Sequence, residues 1–447
     1  MNRKPPDLIY GVDDRPPFPA LLVLGIQHVF LMSSTLVLPI VLVSQVGGSF
    51  AEVRSVVALT MIACGIGTIL QSLRFRYFGS GFLCPNLCGP NFFLVSMEAA
   101  WLGGLPLMRG MTIVAGLAEA VFSRFVRRIR MLFPPEITGL VVLMVAEGLV
   151  VLGVSKFLGI DYEGEPIRWR GVVIGSTTLL IMILVNVRGR GRLLLYSVLI
   201  GLISGYLLSY LLGEMAADRL QEVYRSPWIL QPFSGIAFAF SFRWSLVPVF
   251  VIVSITGALK SFGNLIMCEK VNDVDWREPD MGRVANGLLA DAACVTVSGL
   301  LGGVASDTSA SNVSLSKASG ATSRTIAWSA GGLFIILGFS PKISGLLSLM
   351  PAPVMGAILI YVTAFMIVAG IQIILGSGID TRKTFVIGIP LIFGLSLDMM
   401  PSMFAGVPHF LRPVFDCSLT LSTVLAVILN QVFRPVKSPV PPGGIGR

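Results

Sequence analysis

Long apolar runs dominate this sequence and limit what it can fold into. A full run is about 20 residues long, which is the length that an α-helix needs to cross a bilayer. Hydrophobic residues make up 54% of the 447 residues and charged residues only 13%, so we predict an all-α polytopic membrane protein. We count about fourteen spans, near 18–46, 52–72, 79–97, 110–125, 136–155, 170–187, 193–213, 244–268, 284–303, 305–321, 325–348, 353–376, 383–397 and 414–433.

The net charge of +9 comes from basic residues scattered among short loops rather than gathered on one face. If the amino terminus and every second loop are cytoplasmic, 21 of the 33 Lys and Arg residues lie inside and 10 outside. This asymmetry is typical of the positive-inside rule and does not indicate nucleic-acid binding. The first seventeen residues are polar, so no signal peptide is predicted. We therefore expect an integral plasma-membrane (bacterial inner-membrane) protein with both termini in the cytoplasm.

Metal, cofactor and enzyme chemistry find little support in the sequence. The six cysteines form no C-x-x-C pair, and His28 and His409 are the only histidines. A disulfide framework or a zinc site is therefore not predicted. No phosphate loop or catalytic triad is visible. We predict no cofactor, no metal and no enzymatic activity.

Two interrupted stretches, Gly79–Pro90 and Gly302–Gly320, are rich in Gly, Pro, Ser and Asn. Non-helical chain at membrane depth persists only where protein buries it or where it lines a cavity. We predict that spans 3 and 10 are each a short extended segment followed by a helix, and that the two helix amino termini face one another. Such termini favour carbonyl oxygens or anions. The alternative is that the small residues only permit close helix packing.

The two halves of the chain share a spacing. The segments Leu132–Gly139 and Leu349–Gly356 are alike, and three Pro or Gly pairs lie 217 residues apart. A unit of seven spans must be inverted in its second copy, so the sequence predicts two inverted seven-span repeats, as in many secondary transporters. The pairs are Pro134 and Pro351, Gly139 and Gly356, and Gly153 and Gly370.

These features resemble the nucleobase-ascorbate transporters, the family of the xanthine and uracil permeases. The resemblance covers nearly the whole chain. Its motifs are Gln27-His28, Gly79–Phe82, the two proline segments, Asn286–Asp291, and Ser298–Gly303 leading to Asn312.

The resemblance implies a proton-coupled nucleobase symporter that works by an elevator-like movement. It implies a substrate-carrying core, a gate, and a homodimer formed through the gate. The implied division is an amino-terminal segment 1–17, core 18–130 and 244–348, gate 131–213 and 349–433, and a cytoplasmic tail 434–447. The implied substrate is xanthine, urate or uracil.

The resemblance also assigns site residues. The substrate would lie against Phe82 and bind the backbone of spans 3 and 10, helped by Lys260, Ala310, Ser311 and Asn312. Gln27, His28 and Asp291 would organise the core.

Two positions depart from the family pattern: Lys260 replaces a glutamate and Ser311 an acid or amide. An ammonium donates hydrogen bonds and accepts none, so we expect a preference for an anion such as urate or a small organic acid. The alternative is that Lys260 extends to the headgroups. Asp307 is expected to pair with Lys260, carry a proton or cap the span-10 helix. Lys317, Glu119 and Glu147 receive no role.

Two other functions stay open. One is an anion transporter of the sulfate-permease type on the same architecture, although only about fourteen residues follow Phe433 for a regulatory domain. The other is an uncoupled facilitator.

Overall fold

The computed structural model describes residues 4–6, 8–129, 134–160, 166–190, 193, 196–215, 217–232, 239–376, 378–404, 406–407, 415 and 418–433. Leu132 and Phe133 of the first proline segment and the predicted tail 434–447 lie outside this part. The described chain is mostly helical. Its elements are α1 Phe18–Ser33, α2 Val37–Gln45, α3 Phe50–Ser72, β1 Asn86–Cys88, α4 Phe93–Ile129, α5 Pro135–Phe157, α6 Trp169–Arg188, α7 Ser197–Leu211, α8 Ala217–Arg225, α9 Val247–Asn272, α10 Met281–Leu301, β2 Ser306–Thr308, α11 Ala310–Ser319, α12 Arg324–Gly338, α13 Pro341–Ser348, α14 Ala352–Leu375, α15 Thr381–Met399 and α16 Ser418–Val432.

A membrane-type fold is confirmed. In the described residues, 8 helical segments are long and apolar enough to cross a membrane, and α7 and α16 are shorter apolar helices. One predicted span differs. The run 325–348 is two helices, α12 and α13, bent by 82°. Pro341 opens α13, and a proline cannot donate the backbone hydrogen bond that a continuous helix needs.

The predicted spans 3 and 4 share one long helical element. After β1 the chain enters α4, which breaks at Gly103 (φ −160°, ψ 21°) and Gly104 (φ 70°, ψ −173°). The positive φ of Gly104 is one that residues with a side chain rarely adopt. The break lets the helix that follows β1 continue directly into the next predicted membrane span.

The two interrupted stretches meet at the centre of the fold. Strands β1 and β2 pair antiparallel, with Asn86 opposite Thr308 and Cys88 opposite Ser306. Each strand is followed by a helix, α4 after β1 and α11 after β2. The prediction of a strand followed by a helix in both stretches agrees with this pairing, which satisfies backbone groups that lipid could not.

Glycines allow the long helices to approach closely in reciprocal pairs. A Cβ built on Gly65 of α3 would lie 2.6 Å from the Gly331 oxygen of α12, and one on Gly331 would lie 2.5 Å from the Gly65 oxygen. In the same way, a Cβ on Gly139 of α5 would lie 2.7 Å from the Gly370 oxygen of α14, and the reverse distance is 2.9 Å. Small residues are what let membrane helices pack backbone to backbone.

We expect Gly65→Val to destabilise the protein, because its new Cβ would sit inside the contact between α3 and α12. Overpacking of this kind costs about 1–3 kcal/mol. Thermal unfolding of the detergent-purified protein measures the effect. The matched control is Gly332→Val, since a Cβ at Gly332 meets no atom within 4 Å. Equal stability of the two variants would contradict the close packing.

The amino-terminal segment is bound to the end of α11. The N–H groups of Ile9 and Tyr10 donate to the Gly320 oxygen at 2.8 and 3.0 Å, and the Thr322 N–H donates to the Tyr10 oxygen at 2.8 Å. Asp13 pairs with Arg324 of α12 at 3.0 Å. These contacts close the fold at the Gly320 end of the molecule.

The same segment carries its own ion pair. Lys4 Nζ lies 2.6 Å from Asp14 Oδ2. The hydrogen bond from Lys4, together with one from the Gly11 N–H, lowers the pKa of Asp14. Both side chains are about half exposed, so the pair stabilises the segment only slightly.

Candidate functional site

We call the place where β1 pairs with β2 the crossing. Its backbone directs two helix amino termini toward the centre of the protein. Ser309 caps α11, and its hydroxyl accepts from the Asn312 N–H at 3.2 Å. On the other side a short 3-10 turn, Pro90–Phe92, leads into α4. First-turn N–H groups have no acceptor within their own helix. The crossing therefore presents backbone donors and the positive ends of two helices.

Lys260 and Asp307 form an ion pair at this crossing. Lys260 Nζ of α9 lies 2.9 Å from Asp307 Oδ2 of β2, and Asn91 Nδ2 donates to the same oxygen at 2.8 Å. The Asp307 side chain is 1% exposed and that of Lys260 is 29% exposed. The expected pairing is present, and the lysine side chain remains partly exposed.

His28 of α1 is tied to α11 through Asn312. His28 Nδ1 donates to Asn312 Oδ1 at 2.8 Å, and Asn312 Nδ2 donates to Ser309 Oγ at 2.9 Å. His28 and Asn312 are both buried. The amide of Asn312 is thus engaged within the protein, which favours an organising role for it rather than direct contact with a ligand. Gln27, next to His28, is partly buried, and its Oε1 has no hydrogen-bond partner among the described residues.

Asp291 of α10 is the centre of a second buried network. Asn86 Nδ2 of β1 donates to Asp291 Oδ1 at 2.6 Å, and the Ser261 hydroxyl donates to Asp291 Oδ2. The Thr308 hydroxyl of β2 donates to Ser261 Oγ at 2.7 Å. Asp291 therefore connects both strands to α9 and α10.

Phe82 is placed differently from the other expected binding residues. Its side chain is 1% exposed, and the guanidinium carbon of Arg283 lies 3.6 Å from its ring centroid. Arg283 Nε also donates to the Ser80 oxygen at 2.7 Å. A cation over the ring face stabilises this stacking. In this arrangement Arg283, and not an open space, covers that face of the ring.

Exposed positions on α9 and α11 lie beside the crossing. Gly263, Ala310 and Ser311 are exposed and Lys260 is partly exposed. A Cβ on Gly263 would meet no atom within 4 Å. The exposed side of α11 continues to Lys317 near its carboxyl end. These exposed positions thus extend from the crossing toward the end of the molecule where the amino-terminal segment is bound.

Sequence reasoning did not assign roles to Asn86 and Asn91, because it used only the Gly and Pro residues of that stretch. A sequence signal for them exists: both amides lie in or next to the interrupted stretch Gly79–Pro90 within an apolar region, where a buried polar group needs a hydrogen-bond partner.

The fold and the crossing define an integral membrane protein built around two opposed half-helices. The chain matches the sequence model of the Permease family, that of the xanthine and uracil permeases, over residues 19–403. It belongs to this family, and it is therefore a transporter rather than an enzyme.

Relatives with assigned names cover most of the chain. The xanthine permease XanP of Escherichia coli is 24% identical over 96% of this chain and 96% of its own length. The xanthine permease XanQ of the same species is 27% identical over 87% and 85%. The nucleobase transporter PlUacP of Paenibacillus larvae is 26% identical over 82% and 83%. The sequence-based family assignment is confirmed.

Solved structures share the fold. The transmembrane domain of the cyanobacterial bicarbonate transporter BicA aligns with a TM-score of 0.56 at 12% identity, covering 93% of this chain and 98% of that one. The murine anion transporter Slc26a9 in its inward-facing state aligns with a TM-score of 0.64 at 11% identity, covering 94% and 69%. At these identities the likeness concerns the fold alone.

Proposed function

We propose that this protein is a secondary active transporter of nucleobases, with purines such as xanthine or urate as its substrates. Family membership and the names of the relatives support the substrate class. The single observation that carries the proposal is the partly exposed Lys260 side chain on α9 together with the exposed first turn of α11, and we place the substrate in a cleft between them. A flat ligand rich in carbonyl oxygens matches that set of donors.

The proposed binding mode uses the backbone as much as side chains. The N–H groups of Ala310 and Ser311 open α11, so they offer donors to a purine oxygen. Lys260 Nζ supplies another, and the Ser311 hydroxyl can either donate or accept. Asn312 acts by fixing α11 to His28. Phe82, whose ring lies under the Arg283 guanidinium, supports the segment that leads into β1.

The proposed mechanism moves a core against a gate. The core is 18–130 and 244–348 and the gate 131–213 and 349–433, arranged as two inverted seven-span repeats. The reciprocal contact of Gly139 with Gly370 supports this symmetry, since it joins α5 and α14, the equivalent spans 5 and 12 of the two halves. We also propose a homodimer formed through the gate, for which exposed Phe385 and Phe393 on α15 offer apolar surface.

We place both termini in the cytoplasm of a plasma (bacterial inner) membrane. The distribution of Lys and Arg supports this orientation. The cleft then opens toward the cytoplasm, because it runs to the end where Tyr10 binds Gly320. The arrangement corresponds to an inward-open state in an alternating cycle driven by protons.

A second candidate function is the transport of a small inorganic anion, and the positive charge of the partly exposed Lys260 favours it. The close pairing of Lys260 with Asp307 argues for a nucleobase instead. An ion pair has no net charge, so the site attracts a bare anion weakly while its N–H donors remain. A facilitator without ion coupling is the third possibility.

Uptake into proteoliposomes tests these functions. Labelled xanthine, urate, uracil, sulfate and bicarbonate are offered with and without an inward proton or sodium gradient, against protein-free liposomes. We expect saturable purine uptake that a proton gradient drives above equilibrium and that unlabelled purines inhibit. Sulfate or bicarbonate uptake without purine uptake would overturn the nucleobase proposal. Purine uptake that no gradient raises above equilibrium would establish a facilitator.

A further inference from the structure

Asp307 lies deeper in the protein than Lys260, the residue that it pairs with. The Asp307 side chain is 1% exposed and that of Lys260 is 29% exposed, and Lys260 Nζ lies 2.9 Å from Asp307 Oδ2. A substrate that arrives from solvent therefore meets the lysine first and has the carboxylate behind it. Asp307 acts on the substrate through its charge and through the lysine, without contact.

The pair has no further partner that would change its charge balance. Within the described residues, no second acid forms a salt bridge with Lys260 and no second cation forms one with Asp307. Asn91 Nδ2, which is uncharged, donates to the same Asp307 oxygen at 2.8 Å. Asp291, the other buried acid of the crossing, bonds Ser261, the residue next to Lys260. Any charge on Asp291 has the same sign as that of Asp307.

The spacing of the two charges sets how strongly the lysine can hold an anion. An anion in contact with the open side of Lys260 would lie about 3 Å from the ammonium and about 6 Å from the carboxylate. Because Coulomb energy falls with distance, the carboxylate cancels about half of the attraction. At an effective dielectric constant of about 20, this repulsion weakens binding roughly a hundredfold. The anion must also give up its hydration, so the pair disfavours charged ligands.

An uncharged ligand loses little to the same carboxylate. A neutral oxopurine has no net charge for Asp307 to repel, and its carbonyl oxygens can accept from the Lys260 ammonium and from the first N–H groups of α11. A hydrogen bond from a charged donor is stronger than one between neutral groups. Pairing with Asp307 therefore keeps Lys260 as a donor while it weakens the attraction of Lys260 for anions.

We propose that Asp307 is the specificity-determining residue of this site and that it makes the protein select uncharged oxopurines over anions. A lone lysine would favour urate, which is a monoanion at neutral pH. The paired lysine favours a purine such as hypoxanthine, which is uncharged at neutral pH. The inference rests on the proposed nucleobase transport and narrows its substrate class.

The test variant is Asp307→Asn. Its amide oxygen can still accept from Lys260 and Asn91, so the hydrogen bonds are kept while the negative charge is lost. Unlabelled hypoxanthine, urate and sulfate compete with labelled xanthine for the purified protein in detergent at neutral pH, where no membrane potential acts. We expect wild type to bind hypoxanthine roughly tenfold or more tighter than urate and to be insensitive to sulfate. The variant should shift this ratio about tenfold or more toward urate, and sulfate should inhibit it.

Two controls separate the charge of Asp307 from other effects. Glu147→Gln makes the same exchange of carboxyl for amide on α5, in the proposed gate, and should keep the wild-type ratio. Adding Lys260→Met to Asp307→Asn should remove the gain in urate and sulfate binding, because the ammonium is gone. The inference is wrong if the gain persists in the double variant or if Glu147→Gln shifts the ratio equally.

The wild-type protein keeps the test decisive if Asp307→Asn does not fold. Tighter binding of urate than of hypoxanthine by wild type would overturn the inference and leave nucleobase transport standing. An unchanged ratio in folded Asp307→Asn, or loss of all its ligand binding, would also overturn it. Failure of wild type to bind or exchange any purine would instead overturn the proposed function.

Discussion

Replacement of Lys260 by methionine is expected to abolish uptake and to destabilise the protein by about 3–5 kcal/mol, the usual cost of removing one partner of a buried ion pair. Asp307 is 1% exposed, so it would keep a buried charge with only Asn91 as its partner. Loss of a charged hydrogen bond to the substrate, about 1.5–3 kcal/mol, would by itself weaken binding roughly tenfold to a hundredfold.

A double variant separates the two effects. Adding Asp307→Asn to Lys260→Met removes both charges and should recover much of the lost stability. Transport should stay absent, because the ammonium donor is still missing. Thermal unfolding in detergent and uptake into proteoliposomes measure the two properties. Wild-type uptake by Lys260→Met would show that the lysine does not contact the substrate.

Gly263→Leu should block transport almost completely while leaving the protein folded. Gly263 is exposed one turn after Lys260, and its Cβ would enter open space. A leucine there would occupy the cleft where we place the substrate. Leucine also favours the helical state by about 1 kcal/mol relative to glycine, so stability should not fall.

The control for this variant is Gly332→Leu on α12, where a Cβ also meets no atom within 4 Å. It introduces the same side chain outside the cleft. We expect its uptake to match wild type, with the two variants equally stable. If Gly263→Leu transports normally, the substrate path does not pass between α9 and α11.

The crossing could be predicted from sequence because its physical cause is local. Glycine and proline within Gly79–Pro90, and the small polar residues of Gly302–Gly320, cannot form ordinary membrane helices. The pairing of Lys260 with Asp307 follows from the same reasoning, since an intramembrane charge needs a partner. The alternative that Asp307 caps the span-10 helix is wrong, because Ser309 is the cap of α11.

Other features depend on how distant segments pack, and no local sequence pattern indicates them. The stacking of Arg283 over Phe82 joins residues about 200 positions apart. The bend between α12 and α13 follows a proline within a run that is apolar enough to be continuous. The short amphipathic helix α8, Ala217–Arg225, was not expected in the interval between the seventh and eighth spans.

The pairing of β1 with β2 also sets an order of events during synthesis. Residues 86–88 emerge from the ribosome more than 200 residues before their partners at 306–308. Until then their backbone groups have no strand to bond, and α3 and α4 lack their main contacts with α12 and α10. The first half of the chain must therefore wait in the membrane, incompletely packed, for the second. Release of a chain truncated before Ser306 would leave a product that the quality-control proteases can recognise.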